Sequence, residues 1–118
     1  MRKLSRWTES DPFYHSPRWL KLRQSVLRRD HYQCQQSKRT KMIPDEAVIV
    51  HHVLPREVFP EYQWQPWNLI SLSTHAHNQM HDRETDHLTD LGMQWAVRVA
   101  RRQGLDLKKI EERLSHWQ

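Results

Sequence analysis

The chain has 118 residues, with 19 Lys and Arg against 14 Asp and Glu for a formal net charge of +5. That is the length of a single domain with one modest core, and the basic surplus fits a polyanion partner as readily as an ordinary basic globule. A single cysteine, Cys34, excludes an intramolecular disulfide and fits a reducing compartment. The longest apolar run, Ala47 to Val50, is far too short to cross a bilayer, and no apolar stretch follows the basic start as a secretory signal requires. The expectation is a soluble, cytoplasmic protein with no membrane part.

In chain order, residues 1–12 are polar and are expected to form a flexible segment ahead of one domain over residues 13–118. Ser16-Pro17 is a helix start, with Ser as cap and Pro at the first helical position. Trp19, Leu22, Val26 and Leu27 recur at helical spacing, which predicts a helix ending near Asp30. Tyr32-Gln33-Cys34 and Ala47 to Val50 are short and β-prone, which suggests a hairpin leading into His51-His52. Three prolines and several aromatics between Pro55 and Trp67 mark a loop held by packing. Asn68 to Ser73 reads as a short strand, and Thr74 as the cap of a helix running through Asp82 or beyond. A second clear helix opens at Asp86 or Thr89, carries Leu88, Leu91, Trp95 and Val99 on one face and stops at Gly104. Asp106 then caps a last helix with a stripe of Leu107, Ile110, Leu114 and Trp117.

The chemistry sits in the histidines. There are nine, and five of them lie between His51 and His81. His77 and His81, four apart on the predicted helix, would project from one face and could share a divalent ion. Alone that spacing is a weak signal, since a histidine-rich chain produces it by chance. His51-His52 stand at the end of a predicted strand, where neighbours point to opposite faces and so serve different tasks. One can complete a metal site while the other meets a substrate. Asn68 begins the following strand and can bind loop backbone through its amide.

The order His51-His52, Trp67-Asn68-Leu69, His77-Asn78, His81 resembles the HNH endonucleases of the ββα-metal group. Its paired histidines and His-x-x-x-His segment are similar to those of colicin-type DNases. Phe13-Tyr14, Ser16-Pro17-Arg18-Trp19, Leu27 through Asp30, Tyr32 and Cys34 are similar to the flanks of phage-associated members, so the likeness spans roughly residues 13–82. The resemblance implies an α+β fold, a small ββα-metal core with a flanking N-terminal helix and two C-terminal helices. It implies metal ligation by His51, His77 and His81, a general base at His52, and a loop-orienting role for Asn68. It also implies hydrolysis of DNA phosphodiesters, by nicking or double-strand cleavage and with little sequence preference. Among phages it implies work beside a terminase large subunit or portal in genome packaging, in the cytoplasm of a bacterial host.

The cofactor expected is one divalent ion: Zn, Ni, Mn, Co or Mg, with imidazole ligands favouring the first four. An imidazole titrates near neutral pH, as a general base for water must. Arg56, Arg83, Arg39 and Lys41 are candidates for DNA phosphate contacts, although each singly reads as an ordinary surface charge. The pattern also departs from its relatives. Many phage HNH proteins hold a structural zinc on two Cys-x-x-Cys pairs, whose matching positions here are Cys34, Ser37, Ser73 and Ala76. Three of the four thiolates are missing, so no structural zinc is expected, and packing by Trp64, Trp67, Ile70 and Leu72 is expected to replace it. A binding module that grips DNA without cutting is the competing class, and the complete histidine set argues against it.

Overall fold

The computed structural model describes residues 11–117. The expected flexible segment, residues 1–12, therefore falls almost wholly outside the described residues. Ser16 accepts from the Trp19 amide at 3.2 Å and starts α1, Pro17–Arg29. The chain reverses at His31 and Tyr32, whose φ values of 55° and 57° lie in the left-handed region. It then makes one helical turn, α2 (Ser37–Thr40), and enters β1 (Ile49–His52).

The expected hairpin between residues 32–34 and β1 is not formed. Two left-handed residues in succession cannot lie in a strand, and the pairing shrinks to an isolated bridge between Gln33 and Glu46. The partner of β1 is instead β2 (Leu69–Leu72), antiparallel, with His51 opposite Ile70 and His52 opposite Leu69. The outer edge of β2 is closed by α1. Asp30 Oδ2 accepts from the Ser71 amide at 3.0 Å, and Arg29 donates to Leu69 O at 2.6 Å. An unpaired strand edge is thereby capped by side chains.

Residues between the strands form a loop with 3₁₀ turns at Pro60–Tyr62 and Pro66–Asn68. After β2 come α3 (Thr74–Asn78), α4 (Asp90–Arg102) and α5 (Leu107–Trp117). Ser73, not Thr74, caps α3 through the Ala76 amide. The helix ends at Asn78 rather than reaching Asp82. Thr89 caps α4 by accepting from Gly92 N at 3.2 Å, and Gly104 ends it with φ 69°. Among the described residues no helix is long and apolar enough to cross a membrane.

Alternation along the hairpin splits the core in two. Val50 and Leu69 join Trp19, Val26, Leu27 and Ala47 under α1, with Phe13, Tyr14 and Trp64 at the margin. Ile70 and Leu72 face the other way, into Cys34, Phe59, Ala76, Met80 and the buried sides of α4 and α5. The expected replacement for the zinc is therefore partly misplaced: Trp67, Ile70 and Leu72 pack beside Cys34, whereas Trp64 belongs to the opposite cluster. On α4 the buried residues are Gly92, Ala96, Val99 and Ala100, small enough for close approach, while Leu91 and Trp95 are only half-buried. A Cβ on Gly92 would overlap the Met80 carbonyl oxygen, so this helix rests directly on the backbone that follows α3.

The four positions matched to a zinc site do meet. Ser37 N donates to Cys34 Sγ at 3.5 Å, and Ser73 Oγ accepts from Ala76 N. Burial pushes the Cys34 thiol up, but hydrogen bonds from Ser37 and Ser73 outweigh it and hold the thiol below its ordinary range. Hydrogen bonds and packing join the four positions.

Candidate metal centre

The strand period of two sends the side chains of His51 and His52 to opposite faces of the hairpin. His51 turns toward α3, where its ring lies 5.4 Å from that of His77 and 5.3 Å from that of His81, centroid to centroid. His77 is placed by the last turn of α3. His81 lies beyond the helix, in a segment held by a bridge to Leu88 and by Thr89 N donating to Met80 O at 3.0 Å. The two histidines thus come together through a tightened turn and a backbone bridge rather than through one helix face.

All three imidazoles are buried, and one ring nitrogen from each lies within 4.8 Å of the others. Three neutral nitrogen donors converging in this way fit a single divalent ion and leave further positions for water or substrate. Among the described residues the cluster is made of histidines alone. That arrangement suits an ion meant to meet an anionic ligand.

His52 faces α1. Its ring stacks on Trp19, with centroids 5.1 Å apart and planes at 21°, and Phe13 stands 5.7 Å away. Its Nε2 lies 3.0 Å from the carbonyl oxygen of Gln63. A carbonyl only accepts, so Nε2 carries the hydrogen and Nδ1 holds the lone pair that can take a proton. Asn68 is wholly buried and binds the loop that supplies Gln63. Its Oδ1 accepts from Leu54 N at 2.7 Å, and its Nδ2 donates to Leu54 O at 3.1 Å and Tyr62 O at 3.3 Å.

Of the basic residues singled out in the sequence, Arg56 is ion-paired with Asp11 and lies 4.1 Å above the ring of Phe13, which itself stands against His52. Arg83 is exposed two residues after His81, in a turn whose backbone is bound by Asp82 Oδ1. Lys41 is paired with Asp45 at 3.0 Å, and Arg39 lies over Trp95 of α4. Two features gave no sequence signal: the Gln63 contribution is a backbone carbonyl, and Trp19 read simply as part of a core stripe.

No protein-family model matches the sequence, and no curated protein does. Among solved structures, the chain is similar to the HNH endonuclease of the deep-sea thermophilic bacteriophage GVE2, crystallised with a manganese ion. The two are 37% identical with a TM-score of 0.55, over 59% of this chain and 75% of the phage enzyme. This chain belongs to the HNH endonuclease family. As an HNH endonuclease it is a metal-dependent nuclease, and its α+β architecture is that of the family. The clustered His51, His77 and His81 are able to hold the one divalent ion such an enzyme uses.

Proposed function

We propose that this HNH endonuclease hydrolyses DNA phosphodiesters, with His51, His77 and His81 as metal ligands and His52 as general base. The observation that carries the reading is the convergence of three imidazole nitrogens within 4.8 Å beside a fourth histidine whose Nε2 is already committed. An ion bound at the three histidines supplies Lewis-acid stabilisation of the negative charge that builds on phosphoryl oxygens.

The chain's own groups do the rest. Adjacent residues at the end of one strand, facing opposite sides, allow a single phosphodiester to be approached from two directions. His52 Nδ1 takes the proton of the attacking water, and the resulting charge is shared by a ring whose Nε2–H stays on the Gln63 carbonyl. That hydrogen bond and the stacked Trp19 ring restrain imidazole rotation, so the base meets the water in one orientation. Asn68 fixes the loop carrying Gln63 and is thereby a positioning residue. Arg56 and Arg83 supply phosphate contacts that orient the strand without reading its sequence. Little base preference follows, since among the described residues no helix is presented as a reader of base edges. The resemblance of the sequence to phage-associated members extends the proposal to its setting, a small nuclease acting beside a terminase.

The test pairs two substitutions. His52→Ala is expected to keep metal affinity in calorimetric titration yet lose on the order of a hundredfold or more in plasmid nicking. His77→Ala is expected to weaken metal binding itself, with partial recovery of nicking at high metal concentration. Loss of metal binding in His52→Ala together with retention in His51→Ala would reverse the assignment of the adjacent pair. Full nicking by His77→Ala in the presence of chelator would end the proposal.

A further inference from the structure

Away from the histidines, α1, α2 and α4 enclose a cavity of about 490 Å³ whose floor is Leu69 and Ile70 of β2. Lys38 and Arg39 enter it from α2, Arg98 and Arg102 from α4, and the rings of Trp67 and Trp95 form its apolar walls. The guanidiniums of Arg98 and Arg39 lie 5.1 Å and 5.9 Å from the centroid of the same Trp95 ring. The cavity's one acid, Asp30, is spent on Arg29 and on the Ser71 amide. Among the described residues, none of the four cations from α2 and α4 is paired with a carboxylate, and the Nη1 of Arg98 is buried without a hydrogen-bond acceptor. Partial burial, then the neighbouring Arg39 and Arg102, hold the Arg98 guanidinium below its ordinary range.

Three exposed cations and a fourth with a stranded, buried donor, all around one cavity, form a site that an anion would complete. We propose that this cavity is a second nucleic-acid site, binding backbone phosphates of the DNA strand beyond the bond to be cut. The inference rests on the reading of DNA as substrate. A phosphate polymer fits better than an isolated anion because four separate cations line one concavity, and guanidinium forks match phosphate oxygens. Position agrees. The cavity floor is the strand hydrogen-bonded to β1, one strand spacing of about 4.8 Å from the backbone carrying His51 and His52.

The experiment measures binding of a fluorescent duplex of about 20 base pairs to the full chain in chelator, across a salt series. Hydrolysis of a small chromogenic phosphodiester, too short to occupy the metal centre and the cavity at once, is measured with metal. Arg98→Gln/Arg102→Gln is expected to weaken duplex binding about tenfold and to flatten the log–log salt dependence by about 0.9 for each phosphate that is no longer neutralised. Turnover of the small substrate should be unchanged. Lys38→Gln/Arg39→Gln, on the exposed turn of α2, should act in the same direction and guards against a packing defect in α4. His77→Ala should show the opposite pattern, with duplex binding kept and turnover lost, so failure of the metal assignment is separable from failure of the cavity assignment. An unchanged salt slope in both double variants would overturn the inference. So would displacement of the duplex by polyglutamate as effectively as by inorganic polyphosphate, which would mark a generic acid-binding patch.

Discussion

Replacing Asn68 reports on how the loop, the base and stability are linked. Asn68→Ala removes three hydrogen bonds and leaves the Leu54 amide, in a residue with no exposed surface, without its acceptor. At about 1 kcal/mol per bond plus about 1–3 kcal/mol for the stranded amide, the loss is roughly 4–6 kcal/mol. For a domain of this length that corresponds to a fall in melting temperature of about 16–24 °C, taking roughly 4 °C per kcal/mol. Asn68→Asp keeps the Leu54 amide bond but points a carboxylate oxygen at the carbonyls of Leu54 and Tyr62. Burial raises the pKa of the introduced carboxyl above its unfolded value, so the folded state binds the extra proton. The stability of this variant relative to wild type should therefore be best in acid and fall as pH rises through the folded pKa. Thermal melts in chelator, followed by circular dichroism at about pH 4.5 and about pH 7.5, give both quantities. At a temperature where Asn68→Ala is folded, its metal affinity should match wild type while nicking falls as much as about a hundredfold, because Gln63 no longer holds His52 in place. A melt within about 3 °C of wild type, roughly 1 kcal/mol, would refute the reasoning. So would a loss confined to metal affinity with turnover intact.

The two glycines should behave differently. Gly92→Ala forces α4 off the Met80 carbonyl and is expected to cost about 1–3 kcal/mol and to weaken metal binding by shifting His81. Gly104→Ala meets open space and should cost about 1–2 kcal/mol through its positive φ alone, with metal affinity unchanged in the same titration. Arg113 donates to Glu61 and to Val58 O, and its hydrogen bonds, helped by its charge, hold the Glu61 carboxyl below the ordinary range against the opposing effect of burial. The partly exposed pair is worth about 0.5 kcal/mol, present above the ordinary Glu value and lost as pH falls through the lowered one. The deficit of Arg113→Gln in urea melts should thus be smaller at about pH 3 than at about pH 7. Elemental analysis after mild chelation should find no stoichiometric zinc. Zinc that survives both His51→Ala and His77→Ala would show that Cys34 and its surroundings still hold a metal.

The convergence of His51, His77 and His81 was legible because metal ligation demands particular side chains, and these keep their order in the chain. The caps Ser16 and Thr89 and the stop at Gly104 were legible because each is a local interaction. Pairing of β1 was not, since Tyr32 to Cys34 and Leu69 to Leu72 are both short and apolar. The left-handed turn at His31 and Tyr32 that decides between them leaves no mark on either residue type. The extent of α3 was misjudged for a related reason. Spacing by four suits a helix, but the approach of α4 over Gly92 and the bridge at Leu88 hold His81 in a different backbone. The role of Gln63 was hidden because a carbonyl is common to every residue, and the cavity between α2 and α4 because its cations lie up to 64 positions apart, from Lys38 to Arg102.

The seating of Gly92 on the Met80 carbonyl places part of the support of the candidate metal centre outside the histidines themselves. His81 follows the last turn of α3, yet the backbone that carries it is held from further along the chain, by the bridge from Leu88 and by the first turn of α4 packed over Met80. The geometry of the trio is therefore set in part by residues that come after its last member in the sequence.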